Sequence, residues 1–162
     1  QAGNADPFLL QAPFDEAWWQ LPLSVFAHQN MAHLAGNATV VAVAGGLVAV
    51  FAGVVRYHLF FVASGILAGM AQVAATGVLG EATPVLGASG AALALVGYIL
   101  TGNEISSWIL DQVSGWMVAV VVLGVALALT LRYSGLDVAN VAHLAGAVIG
   151  LAAGHFNLLR AQ

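Results

Sequence analysis

Five apolar runs separated by short polar joints organise this sequence. His33 to Val55 carries no formal charge and stops at Arg56, and Tyr57 to Leu79 follows so directly that the two must be antiparallel neighbours. Ser89 to Thr101 is the third run. Val113 to Leu131 and Asp137 to Leu159 are the fourth and fifth, parted by Arg132-Tyr-Ser-Gly-Leu. A bilayer's hydrocarbon core, ~30 Å thick, takes about 20 residues of straight helix. Every run but the third is that long. The third, at 1.5 Å per residue, rises only ~20 Å before polarity returns at Gly102-Asn103-Glu104. The pattern therefore predicts an all-α, polytopic membrane helical bundle with five spans, one of them short.

Residues 1–32 are different in character. Pro7, Pro13 and Pro22 interrupt any long helix, and Asp6, Asp15 and Glu16 hold the segment at an aqueous face. Trp18 and Trp19, with Phe8, Phe14 and Phe26, read as an amphipathic piece at the membrane interface, where tryptophan is enriched. Two regions are expected: an external loop region at 1–32, partly at the interface, and a transmembrane domain at 33–162.

Composition strengthens the membrane reading. The chain has 162 residues, 61% hydrophobic and 6% charged, with mean hydropathy +0.96; a soluble domain carries roughly 25% charged residues. Arg56, Arg132 and Arg160 are the only cations, which leaves no basic stripe and excludes a nucleic-acid partner. With no cysteine there is no disulfide and no thiolate metal site. Counting crossings, Arg56 and Arg160 share one face and Arg132 the other, so residues 1–32 lie outside and the C-terminus is cytoplasmic. An outside start with five spans leads to the expectation of one more helix upstream. The lysine-free, Ala/Val/Gly-rich composition points to a prokaryotic plasma membrane. In the last run Ala142, Gly146, Gly150 and Gly154 form one small-residue stripe, the mark of a tight helix contact in lipid.

Strongly polar residues within spans are costly and raise a functional question. His33 and Asn37, four apart, share a face at the start of the first run. Ser89 opens the short run, lying below the surface if Glu81 and Glu104 mark the two membrane faces. His143 shares the stripe of Gly146 and Gly150. Taken singly, each has a bland account: a histidine at an interface, a serine bonded to a backbone carbonyl, an asparagine joining helices. Their coincidence at comparable depth is what needs explaining. Serine's hydroxyl becomes a nucleophile when a base takes its proton. Neutral imidazole can take that proton and return it to a leaving amine. Asn37, His33 and the Ser89 backbone N–H could serve as oxyanion donors. Gly87 and Gly90 clear space beside the serine. No Asp or Glu stands within a span to orient His143, so the set amounts to a Ser–His dyad. His58 and His155, at the cytoplasmic ends, read as structural.

Three blocks give this a family resemblance. His28-Gln-Asn-Met-Ala-His33-Leu-Ala-Gly-Asn37, Gly87-Ala-Ser89-Gly90, and Ala139-Asn140-Val-Ala-His143-Leu-Ala-Gly146-Ala-Val-Ile-Gly150 resemble, in order and spacing, the signature blocks of the rhomboid intramembrane serine proteases. The resemblance covers about residues 16–158. It implies a rhomboid-like core of six helices of which this sequence holds five, so that either the sequence is a fragment or the first helix is supplied separately or within a larger membrane complex. It implies Ser89 as nucleophile, His143 as general base, and His33 and Asn37 at the oxyanion. His28, Gly87, Gly90 and Asn140 are implied as supporting residues, with His28 in a water-filled pocket. Residues 1–32 would be the family's first external loop, and Val113–Leu131 the mobile helix that admits substrate laterally. Substrates would be membrane proteins whose transmembrane segments are helix-destabilised near the outer face. No cofactor or metal is implied. The chain departs from the family pattern at Leu93, where bacterial members often have a tyrosine stacked on the base, and at Gln20, where an arginine commonly follows Trp19.

The leading expectation is thus an intramembrane serine endopeptidase. The alternative is a catalytically weak or inactive rhomboid-like protein that binds membrane helices or serves as a structural subunit. A transporter would want paired charges or broken-helix ion sites, and the spans have no paired charges. His28 and His33, five apart with no carboxylate, do not form a metal site.

Overall fold

The computed structural model of the chain describes residues 7–102, 114, 116, 117, 120, 121, 124 and 140–160. Several expectations lie outside these: the acidic Asp6, the joint with Glu104 and Asp111, most of the Val113–Leu131 run, Arg132 and Asp137.

Every regular element among the described residues is a helix. Helix α1 (Gln20–Phe26) is short, with Pro22 in its first turn, where backbone N–H groups have no partner within the helix. Helix α2 (Met31–Val40) starts two residues before the predicted run. The Asn30 side chain accepts from His33 N at 2.9 Å, and an N-cap of this kind extends a helix to its first polar residue. It continues through a π turn (Val41–Gly45) into α3 (Gly46–Ala52). The predicted break at Arg56 falls instead at Gly53, whose φ of +70° suits glycine alone. Helix α4 (Val54–Leu79) follows. The stretches Met31–Ala52 and Val54–Leu79 are long and apolar enough to cross a membrane.

Helix α5 spans Ser89–Thr101, as its hydrophobic pattern predicts. Helix α6 (Asn140–His155) ends four residues short of the predicted run. Asn157 takes a left-handed conformation (φ 51°), Asn157 N bonds Gly154 O at 2.9 Å, and Leu158 N bonds Ala153 O at 3.0 Å. That is a Schellman turn, which satisfies the helix's last carbonyls. Beyond it Arg160 O accepts from Arg56 Nη1 at 2.7 Å, so the two arginines do share one end.

Helix α5 is the centre of the molecule, buried from Gly90 to Leu95 and again at Gly97 and Tyr98. It packs most extensively on α6 and next on α4. The predicted glycine stripe makes that packing intimate. A Cβ on Gly146 would collide with the Gly90 carbonyl, and one on Gly150 with the Ala94 carbonyl. Thr101 Oγ1 also donates across to Leu151 O at 2.8 Å. Core side chains are correspondingly small, with Ala68, Ala91, Ala94 and Ala147 fully enclosed.

The N-terminal segment is tied into this body. Leu10, 1% exposed, pairs in an antiparallel bridge with Val85, in bonds of 2.9 and 3.1 Å. Val25 of α1 packs against Gly65 of α4. Trp18, Trp19 and Phe26 remain exposed. Gln20 is buried, a position where an uncharged amide costs less than a guanidinium.

Candidate active site

The loop from Gly80 to Ala88 delivers Ser89 to the first position of α5. It is held at three places. Thr83 N bonds Thr76 Oγ1 (2.8 Å), Val85 pairs with Leu10, and Gly87 N bonds Ser24 O (2.8 Å). Gly87 adopts φ +121°, and a Cβ there would lie 2.8 Å from Cε1 of His33 and 3.5 Å from Nδ2 of Asn37. Only glycine lets the backbone turn there and pass so close to those two side chains. Gly90, on the other side of Ser89, admits Ala68 of α4 and the Ala142 carbonyl of α6.

Across this approach His143 Nε2 lies 2.7 Å from Ser89 Oγ, although the residues are 54 positions apart. The imidazole is 7% exposed. The hydroxyl and the ring therefore share a short hydrogen bond in a largely enclosed place. The register of α5 against α6 puts them opposite one another. His143 lies one turn before Gly146, and Ser89 immediately precedes Gly90, the residue against which Gly146 packs.

A cavity of about 520 Å³ opens beside this pair, with His33, Asn37, Gln72, Ser89, Leu93 and His143 in its wall. His33 and Asn37 follow one another along α2 by one turn, as their spacing predicts. Asn37 is buried, and its Nδ2 has no hydrogen-bond partner among the described residues. An amide donor left in that state, on a residue of the cavity wall, has its bonding capacity unspent.

The remaining predicted residues sit around the set. His28 does not line the cavity. It precedes the helix, packs its ring on that of His33 with centroids 5.0 Å apart, and donates from Nδ1 to Phe26 O at 3.0 Å. Asn140 is the first residue of α6 and also lies off the cavity wall. Leu93, one turn beyond Ser89, presents an aliphatic side chain where a stacking ring was the family expectation. The short Ser89–His143 bond is formed nonetheless.

Sequence reasoning passed over two polar residues. Asn30, the cap of α2, carries the usual sequence signal of an N-cap amide just before an apolar run. Gln72 is buried in the middle of α4, and its Oε1 accepts from Val141 N at 3.0 Å and Ala142 N at 3.2 Å, the first turn of the His143 helix. Its signal is also in the sequence: it is the one amide side chain within Tyr57–Leu79.

Comparison with known proteins accords with this geometry. The family model described as Rhomboid domain matches residues 15–160. The chain is similar to the Rhomboid protease GlpG of Haemophilus influenzae, 24% identical over 137 residues, which cover 85% of this chain and 68% of that protein.

Proposed function

The chain belongs to the rhomboid family, and from that premise we propose that it is an intramembrane serine endopeptidase working through a Ser89–His143 dyad. The observation that carries the reading is the 2.7 Å contact between Ser89 Oγ and His143 Nε2. It falls within the range a general base needs to take a hydroxyl proton.

In the proposed reaction Oγ forms a bond to the scissile carbonyl carbon while its proton passes to Nε2. The carbonyl oxygen gathers negative charge. Asn37 Nδ2–H, a His33 ring N–H and the Ser89 backbone N–H, which at a helix start has no partner within the helix, stabilise that charge. The C–N bond then breaks as Nε2–H protonates the departing nitrogen. A water molecule, deprotonated by the same imidazole, releases the acyl group from Ser89.

Membrane residence follows from the same family premise and from the two long apolar helices. In the proposed arrangement five spans cross the bilayer, residues 1–32 form the external region, and 33–162 form the membrane domain. The C-terminus faces the cytoplasm of a prokaryotic cell. Helix α5, at 13 residues, is shorter than the roughly 20 that a straight span requires, so Ser89 sits below the outer surface. Substrates are membrane proteins whose transmembrane segments unwind near that depth, because a helical backbone hides its carbonyls from attack.

Labelling with a serine-directed fluorophosphonate tests the proposal. The intact chain should label and Ser89→Ala should not. Equal labelling of both, or none of the intact chain together with no cleavage of a single-span substrate, would favour the helix-binding alternative.

A further inference from the structure

Gln72 is a buried carboxamide with no part in the chemistry above. Burying an amide is costly unless it is hydrogen-bonded, and this one spends its oxygen on two backbone N–H groups of another helix, 69 and 70 residues further on. Those are the two residues immediately before His143. The first N–H groups of any helix lack intrahelical partners, and here one side-chain atom from α4 supplies them both.

We propose that Gln72 is the positioning residue of the base: its Oε1 caps α6 at Val141 and Ala142 and thereby sets the depth and rotation of His143 against Ser89. Further hydrogen bonds to the backbone of α6 and its C-terminal turn lie two turns or more beyond His143, at Leu151 and Arg160. Contacts of Gly146 and Gly150 with the α5 backbone fix how near the helices come, but dispersion contacts between smooth surfaces resist sliding and rotation weakly. A hydrogen bond is directional. Leu93 offers no ring face to hold the imidazole. The cap is a directional constraint on the backbone immediately before the base, and it acts on His143 through that backbone.

The kinetic part of the inference rests on the protease reading; the structural part does not. Two variants of the full chain in lipid vesicles separate them. Gln72→Met keeps length and volume and removes the acceptor, whereas Gln72→Glu keeps an oxygen at the same place. Hydrogen exchange at the Val141 and Ala142 amides should quicken on the order of tenfold in Gln72→Met, in line with the loss of one net hydrogen bond, and return in Gln72→Glu. The ¹⁵N shift of His143 Nε2 should move in Gln72→Met, reporting a changed bond to Ser89. On a transmembrane substrate kcat should fall about 10²-fold, the usual cost of an ångström of misplacement, with KM unchanged, and recover in Gln72→Glu. Unchanged exchange and shift in Gln72→Met would overturn the inference, as would equal damage in both variants, which would reduce Gln72 to packing. If the unaltered chain shows no turnover, the protease reading fails, and exchange and ¹⁵N shift still decide whether Gln72 positions His143.

Discussion

Gly90 and Gly146 meet backbone to backbone, so closely that a Cβ on Gly146 would fall on the Gly90 carbonyl oxygen. Ser89 directly precedes the first and His143 stands one turn before the second. The separation of the two helix axes at this crossing therefore determines whether hydroxyl and imidazole can touch. Packing and chemistry are coupled at one point: the small-residue contact that holds α5 to α6 in place of a hydrophobic drive also closes the 2.7 Å Ser89–His143 bond.

Gly146→Ala should separate stability from activity in an instructive way. The added methyl meets backbone, which cannot rotate aside, so the helices must part. Overpacking of this kind costs about 1–3 kcal/mol, read by detergent-induced unfolding. The drop in kcat should exceed what the loss of folded protein explains, because the dyad opens. Gly46→Ala is the control, since its Cβ would meet nothing within 4 Å; it should unfold no more readily and cleave at the original rate.

His143→Ala should abolish cleavage while leaving the fold in place. Alanine suits a helix interior, and the imidazole's bond to Ser89 is one α5–α6 contact beside the backbone approaches at Gly146 and Gly150 and the Thr101–Leu151 bond, which remain. Loss of a base that acts as a unit with its nucleophile lowers kcat by more than ~10⁴-fold. The expected result is an unfolding transition near that of the parent, with fluorophosphonate labelling lost. A variant that keeps its rate would remove His143 from the mechanism.

Asn37→Ala tests the oxyanion assignment. The amide Nδ2 has no partner among the described residues, so its removal forfeits no hydrogen bond from that donor in the resting protein. Its cost should appear in the transition state, as a fall of about 10²–10³ in kcat with KM little changed. Full activity in Asn37→Ala would contradict the need for a donor there, because alanine has no side-chain N–H.

Much of this site was legible in the residues because it is made of local rules. The span of α5 follows from where apolar residues begin and stop, the pairing of His33 with Asn37 from helical period, and a tight helix contact on α6, though not its partner, from small residues spaced by four. What escaped was non-local or conformational. Gly53 and Arg56 are equally sound places to end a helix on the page, and only the backbone's turn at φ +70° decides between them. Gln72 stands out as an amide among apolar neighbours, yet nothing in its own surroundings says that its partners are Val141 and Ala142. The pairing of Leu10 with Val85 was invisible for the same reason, since a single bridge carries no alternating pattern.

That bridge leads to the last prediction. Leu10 is 1% exposed and its side chain packs against Gly69, where a Cβ would come within 2.9 Å of Leu10 Cδ2. Its backbone holds Val85 by two hydrogen bonds, four residues before the nucleophile. Leu10→Ala should lose about 2–4 kcal/mol, the usual cost of truncating a buried leucine. Alanine keeps the two backbone bonds to Val85, but without the side chain that seats this segment against Gly69 the tie to the loop that delivers Ser89 loosens, and fluorophosphonate labelling of the fraction still folded should also slow. Leu9→Ala, at a half-buried neighbour, should do neither to a comparable degree. If Leu10→Ala is less stable yet labels at the parental rate per folded molecule, the N-terminal segment anchors the fold without setting the nucleophile's position.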